Sequence, residues 1–240
     1  ISVCDGAGSA RFGAIGAEFL SKSFALEINH STLKDPSLCP TFAAELAIEN
    51  FHKKIDRLIS IYRLRAVRED FATTLVSLTL NKNGPSYVVH IGDGAALFFR
   101  GSANELVFAS LPENGEYAHE TYFVTSKGWK QKLRVKEVSS SFDDFFLMTD
   151  GVTPFALKAD TVFQGFVDPL LNYLKKNENM ASLKIDMTKL EGSRVPLERD
   201  PVCIRGGRLT PAYTAVEKLL SSKKSQQVST DDKSIAWGVT

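Results

Sequence analysis

The stretch FATTLVSLTLNKNGPSYVVHIGDGAALFFR, Phe71–Arg100, decides the fold class. Phe71 to Leu80 is rich in Thr and β-branched residues, NKNGPS supplies a turn, and Tyr87 to Ile91 resumes an apolar run, which reads as a hairpin. Ala95 to Arg100 and Leu106 to Ser110 continue as strands, with GSAN between them as another turn. Thr121 to Thr125 reads as a further short strand, and Leu133 to Val138 alternates apolar with basic residues as a half-exposed strand does. Many short strands joined by tight turns point to antiparallel sheets, because parallel strands need long crossovers.

Upstream of this stretch the period changes. Ile1 to Cys4 reads as a strand stopped by the small-residue cluster DGAGSA. Phe12, Ile15, Phe19, Leu20 and Phe24 then recur at helical spacing, which predicts a helix from Arg11 to about Ile28. NHSTLKDPSLCP reads as a loop, and Phe42, Leu46, Phe51, Ile55, Leu58 and Tyr62 predict a second long amphipathic helix. Downstream, Val152 to Leu157 reads as a short helix, Val162 to Lys176 as a longer one and Met180 to Val195 as loop or helix. Thr214 to Ser221 reads as helix, Ser222 to Thr230 as a polar linker and Ser234 to Val239 as a closing strand.

The 240 residues suffice for one sizeable core, so residues 1–240 read as a single domain. With 43% apolar and 24% charged residues the composition is that of a soluble globular chain, and no run is long enough to span a bilayer. A formal charge of +1 provides no basic field for nucleic acid. Cys4, Cys39 and Cys203 are too few and scattered for a disulfide framework, which suits a reducing, cytoplasmic compartment.

Carboxylates recur at strand ends. SVCDG ends in Asp5-Gly6, VVHIGDG in Asp93-Gly94 and FFLMTDG in Asp150-Gly151, while Asp231-Asp232 precedes the last apolar run, SIAWGV. Since the first three follow their strands and the last pair precedes its own, antiparallel pairing brings the late pair to the same sheet end. Glycine beside each Asp leaves room for an ion, and its carbonyl is a potential oxygen ligand. Oxygen-only surroundings suit Mg²⁺ or Mn²⁺, and packed carboxylates repel unless cations neutralise them. Other chemistry is weakly signalled. His30, His52, His90 and His119 form no HxH or HExxH pattern, and His90 sits inside a strand as a structural residue. Ser9 lacks a GxSxG context, GAGSA lacks the Lys of a nucleotide-binding loop, and Cys4 reads as a buried small residue.

On VCDGAGSARFGAIGA, FATTLVSLTL, VVHIGDGAALF, YFVTS, FFLMTDGVTPFAL and DDKSIAWGV, in that order from Ile1 to Val239, the chain resembles the PP2C family of metal-dependent Ser/Thr protein phosphatases, in its compact bacterial branch. The resemblance implies an α+β fold, a four-layer α-β-β-α sandwich of two mainly antiparallel sheets flanked by helices. It implies that Asp5 bridges two core Mg²⁺ or Mn²⁺ ions, that Gly6 offers its carbonyl, that Asp150 and Asp231 complete the core site, with Asp232 in the adjoining family position, and that Asp93 belongs to a third, weaker one. The implied reaction is hydrolysis of phosphoserine or phosphothreonine in a protein substrate by a metal-bridging water or hydroxide, with no side-chain nucleophile. A catalytically weak regulatory or interaction module of the same fold, and a small-molecule phosphomonoesterase, are the alternatives.

Two departures from the family stand out. Ala7 occupies the position where animal members carry a His proposed as general acid, leaving water to protonate the leaving group. The chain also opens on Ile1 inside an apolar run, so the sequence predicts some tens of residues upstream, with a strand pairing Ile1 to Cys4. The family's phosphate-holding Arg and its water-orienting acid belong to that upstream region. Arg11 reads as a surface helical residue, and Leu157 to Arg208 as the variable surface beside the site.

Overall fold

The computed structural model describes residues 1–35, 37–81, 84–113, 121–138, 141–177 and 211–239. The chain enters on Ser2–Val3 (β1), turns at Asp5–Ala10 and runs through two long helices, Gly13–Lys34 (α1) and Pro40–Ile61 (α2). A 3₁₀ turn at Arg68–Phe71 leads into Leu75–Thr79 (β2), Ser86–Ile91 (β3), Ala95–Arg100 (β4) and Glu105–Ser110 (β5). Trp129–Lys132 (α3), Arg134–Val138 (β6), Asp144–Met148 (β7) and Thr153–Ala156 (α4) follow, then the small hairpin Leu157–Lys158 (β8) and Thr161–Val162 (β9). Gln164–Asn177 (α5), Pro211–Leu220 (α6), Lys223–Val228 (α7) and Ile235–Gly238 (β10) close the order.

The strands form two four-stranded antiparallel sheets, ordered β1-β2-β3-β6 and β10-β7-β4-β5. Successive side chains of a strand face opposite ways, so a strand apolar at every position must be covered on both sides. In β7, Phe145 and Leu147 face the first sheet with Ala96 and Phe98 of β4, Val76 and Leu78 of β2, and Val88 of β3. The alternate residues Phe146 and Met148, with Ala95, Leu97 and Phe99, pack under α5 and α6 against Val167, Leu171, Leu174, Ala212 and Val216. On the far side, Leu20 and Phe24 of α1 and Ile48, Phe51 and Ile55 of α2 cover Leu75, Val89 and Ile91. The result is the four-layer helix–sheet–sheet–helix arrangement that the resemblance implies. Each fully buried Leu, Ile or Phe contributes about 1.5–3 kcal/mol, so three such layers of apolar contact set the architecture.

Three local readings differ. Helix α1 continues to Lys34 through NHSTLK, because its polar residues ride the surface and Thr32 Oγ1 donates to the carbonyl of Ile28 at 3.0 Å inside the helix. The helix stops where Asp35 precedes Pro36, a position that disfavours helical backbone. The segment read as a strand, Thr121–Thr125, forms no strand: residues 122–123 are irregular and the chain turns from residue 124, and the polar 222–230 segment contains α7, capped by Ser222 Oγ accepting from the Ser225 amide at 3.2 Å. Met180–Val195, His119 and Cys203 lie outside the described residues, as does most of Leu157–Arg208.

Candidate metal centre and active site

The topology brings the Asp-bearing turns together. β1 pairs with β2 so that Val3 lies opposite Val76, and β2 pairs with β3 so that Leu75 lies opposite Ile91. Asp5 and Gly92-Asp93 therefore leave the first sheet at the same end. Residues 92–94 cross from β3 in one sheet to β4 in the other, where Ala95 lies opposite Met148 of β7. β10 completes the convergence, with Ile235 opposite Met148, placing Asp231-Asp232 beside Thr149-Asp150.

Threonines that the sequence reading did not single out hold these turns. The Asp5 carbonyl accepts from the Thr74 amide at 2.8 Å and from Thr73 Oγ1 at 2.8 Å, and the Asp5 amide donates to Thr74 Oγ1 at 3.1 Å. The bridge between Gly6 and Thr73 uses bonds of their neighbours, Thr74 N–H to Asp5 O and Ala7 N–H to Ala72 O, so the Gly6 carbonyl takes no part in it. Thr121 Oγ1 donates to Asp93 Oδ2 at 2.6 Å. The Thr149 amide donates to the Ser234 carbonyl at 3.0 Å, and the Ser234 amide to Thr149 Oγ1 at 3.1 Å, which joins the Asp150 turn to the last strand. The signal was present in FATT and FFLMT, where Thr stands at a strand end, yet a lone Thr there is indistinguishable from ordinary β propensity.

The glycines following the aspartates do more than clear space for an ion. A Cβ at Gly6 would fall on the backbone of Gly13 and Ala14 at the start of α1, and one at Gly151 on the Asp232 carbonyl. These close backbone approaches bring the motifs into one site.

Burial pushes the Asp5 carboxyl up to about 8, helped by a hydrogen bond with Asp150 and by the charges of Asp150, Asp232 and Asp93. Burial also raises Asp93, with Asp150 and Asp231 acting in the same direction against the Thr121 hydrogen bond. Asp150 Oδ1 is buried and accepts no ordinary hydrogen bond from the described residues. Asp231 and Asp232 are exposed on the rim. Among the described residues no group of three or more His, Cys, Asp or Glu side chains is placed to hold a metal ion. The donor set nonetheless fits hard divalent cations: carboxylate oxygens alone, one of them orphaned and buried, in a group whose mutual repulsion a cation relieves.

The other candidates have structural partners. His90 is buried in β3, its Nδ1 lying 2.8 Å from Ser110 Oγ and accepting from Arg134 Nη2 at 3.0 Å. A guanidinium only donates, so the ring proton belongs on Nε2, and burial with the Arg134 charge lowers the pKa to about 3. Arg134 also donates to the Leu111 carbonyl at 2.8 Å and pairs with Glu113 at 3.1 Å, while the Glu113 amide donates to the Gly92 carbonyl at 3.1 Å. That network fastens the residue before Asp93. His52 Nε2 lies 2.9 Å from the Val124 carbonyl, and burial lowers its pKa. Burial and the Asp5 charge push the Cys4 thiol up, holding it protonated. Ser9 is exposed in a turn, and Arg11 lies just before α1, donating to the Arg65 carbonyl at 3.2 Å and stacking on Phe12.

A family model described as Protein phosphatase 2C matches residues 1–187, more than three quarters of the sequence. The chain belongs to the protein phosphatase 2C family. The matched span includes Asp5, Gly6, Asp93 and Asp150, while Asp231 and Asp232 lie beyond it. Several solved structures are similar to this member of the 2C family. PppA, a key regulatory component of T6SS in Pseudomonas aeruginosa, is 14% identical over 66% of this chain and 68% of that one, with a TM-score of 0.44. The photosystem II phosphatase PBCP is 15% identical over 66% of this chain and 57% of its own, at a TM-score of 0.43. The serine/threonine phosphatase PstP/Ppp of Mycobacterium tuberculosis is 14% identical over 71% and 72%, also at 0.43. No curated protein sequence matches the chain.

The carboxylate crowding has a measurable consequence in chelator. A carboxyl whose folded pKa is raised adds stability below its unfolded value near 4, and that stability is lost as pH rises through about 8. His90 and His52, both lowered, act oppositely, but only below their unfolded value near 6.5. Between about pH 6.5 and 8.5, therefore, the Tm of the wild type in EDTA is expected to fall relative to that of Asp5→Asn, which removes the titrating group. Parallel Tm curves for the two proteins would contradict the crowding.

Proposed function

We propose that residues 1–240 act as one domain that hydrolyses phosphoserine and phosphothreonine in proteins, using Mg²⁺ or Mn²⁺. The observation that carries this reading is the approach of Asp5 from one sheet to Asp150 from the other, with Asp93 and Asp232 close enough to act on Asp5. Asp5, the Gly6 carbonyl, Asp150 and Asp231 would hold two core ions, and Asp93 a third. Bound divalent ions supply positive charge for the phosphoryl oxygens and lower the pKa of water for in-line attack on phosphorus.

The chain's own residues do the positioning. Thr73 and Thr74 hold the Asp5 main chain, Thr121 orients Asp93, and Thr149 couples the Asp150 turn to the strand that follows Asp231-Asp232. No His stands at Ala7, so protonation of the leaving alkoxide falls to solvent. A reducing, cytoplasmic location matches the free Cys4 and Cys39, and no described helix is long and apolar enough to cross a membrane.

The test is hydrolysis of a phosphothreonine peptide and of a small aryl phosphate with Mn²⁺, with Mg²⁺ and with EDTA. Turnover of the peptide with metal and its loss in EDTA is expected. Turnover of the aryl phosphate alone would favour a small-molecule phosphomonoesterase, and turnover unaffected by EDTA would overturn the metal requirement.

A further inference from the structure

The arginines divide by partner. Among the described residues Arg68, Arg100 and Arg134 each pair with a carboxylate, whereas Arg11, Arg57, Arg63 and Arg65 pair with none. All of the unpaired ones are exposed, and they stand just before α1, near the end of α2 and in the segment joining α2 to the 3₁₀ turn. No acidic residue lies between Arg57 and Arg68, nor between Gly6 and Ala17. The flanking acids are Asp56, which Arg68 holds, Asp70, whose Oδ2 accepts from the Val67 amide at 2.8 Å, and Glu69, so the surface keeps a positive balance.

The same segment carries exposed apolar area. Tyr62, Ile61 and Val67, at 71%, 61% and 60%, are the most exposed large hydrophobic side chains of the described residues. Arginine beside tyrosine and aliphatic groups is the composition of a protein-binding surface, because these side chains combine donors with apolar contact. Arg63 closes α2 in left-handed backbone, φ 49°, its amide donating to the Ser60 carbonyl at 3.2 Å and the Leu64 amide to the Ile59 carbonyl at 3.0 Å. Glycine is favoured at such a position, so the fold itself has no need of a side chain there. Arg11 stacks on Phe12, 4.8 Å from the ring centre, and donates through Nη1 to the Arg65 carbonyl at 3.2 Å, leaving Nε and Nη2 outside that bond.

Hydrogen bonds run this surface alongside the segment that follows Asp5-Gly6. The Ala7 amide donates to the Ala72 carbonyl at 2.9 Å and the Phe12 amide to the Asp70 carbonyl at 2.7 Å, so residues 7–12 lie against residues 65–72. Six residues of chain from Asp5 to Arg11 span at most about 22 Å.

Resting on the phosphatase reading above, we propose that this surface docks an acidic segment of the protein substrate, with Asp or Glu side chains within about six residues of the phosphorylated one. Carboxylates match guanidinium groups in charge and in fork geometry, and a peptide also supplies apolar side chains to Tyr62, Ile61 and Val67. Nucleic acid binds along a broader basic field than a chain of net charge +1 presents.

The probes are two phosphothreonine decapeptides, one flanked by Asp and Glu, the other by Asn and Gln at the same positions. At low ionic strength the wild type is expected to favour the acidic peptide about tenfold in kcat/KM, through KM, because several exposed charge pairs each contribute modestly. Arg63→Gly with Arg65→Gln removes two charges, keeps the Arg65 carbonyl that Arg11 uses, and is expected to abolish the preference. Lys223→Gln with Lys224→Gln makes the same change of net charge on α7 and is expected to keep it. Equal kcat/KM for both peptides in the wild type, or a preference that survives in the arginine variant, would overturn the docking surface.

The unphosphorylated acidic peptide, titrated by fluorescence anisotropy, separates the two readings. If the wild type hydrolyses neither phosphopeptide, the phosphatase reading fails and this titration decides the surface alone. Weaker binding to the arginine variant than to the wild type supports the surface, and equal binding overturns it. A single-stranded DNA decamer that binds more tightly than the acidic peptide, and loses that binding in the arginine variant, would overturn the peptide assignment.

Discussion

Asp150→Asn is expected to lower Mn²⁺-dependent hydrolysis of a phosphothreonine peptide by about 10³-fold while leaving the fold intact. Asp150 follows β7 in the interior of the second sheet, where Thr149 and Thr153 hold its turn, and Oδ1 is buried with no ordinary hydrogen bond from the described residues. Such an oxygen is costly to keep in a folded protein unless something else binds it, and a cation is the ligand that this donor set fits. Lewis-acid stabilisation is worth several kcal/mol in the transition state, and each 1.36 kcal/mol is a factor of ten in rate, hence the estimate of about 10³. The amide removes a charge that helps to raise the pKa of Asp5 and of Asp93, so in EDTA the Asn variant is expected to melt no lower than the wild type. With excess Mn²⁺ the order reverses, because a ligand that binds only the folded state stabilises it by mass action. Activity within tenfold of wild type, at equal metal occupancy, would remove Asp150 from the metal centre.

Gly151→Ala, next in the chain, is expected to act on stability as much as on activity. A Cβ at residue 151 would occupy the position of the Asp232 carbonyl, and backbone cannot swing aside as a long side chain can. Nor can β10 retreat freely, since it is paired with β7 from Ile235–Met148 through Gly238–Phe145. Either the Asp150 turn separates from the Asp231-Asp232 segment or the end of the β7–β10 ladder opens. Overpacking of this kind costs about 1–3 kcal/mol. For a chain of this size that is about 2–4 °C of Tm for each kcal/mol. Gly8→Ala is the matched control: it lies in the first Asp-Gly turn but has nothing within 4 Å of an added Cβ. Denaturant midpoints should separate the two variants, and equal midpoints would show that the approach at Gly151 is not tight. Loss of metal-dependent turnover beyond the fraction unfolded is expected for Gly151→Ala, because the displaced Asp232 backbone belongs to the segment carrying two of the carboxylates.

The layers could be read in advance because their periods differ. Residues in α2 recur at helical spacing, and Val88, Val89 and Ile91 lie in a run too short for a helix and bounded by turn residues, so each segment announces its element. The readings that failed, the end of α1 and helix α7, are polar segments where surface position, N-capping and the neighbouring proline decide, and hydrophobic periodicity is silent there. The strand reading of Thr121–Thr125 failed for another reason. There, half-buried Tyr122 and buried Val124 pack with α2 and the first sheet, in irregular backbone that looks strand-like in sequence.

The amino-acid sequence by itself determined where the candidate carboxylates stand: short, stiff side chains at strand ends are placed by local pattern, so Asp5, Asp93, Asp150 and Asp231-Asp232 were all visible. Only the tertiary structure decided how they meet. The crossing of residues 92–94 between sheets, the threonines that hold each turn, the close backbone contact at Gly151 and the raised pKa of Asp5 depend on strand order and on groups distant in the chain. Local sequence encodes the element a residue occupies, whereas charge coupling and burial arise from the long-range packing that places those elements side by side.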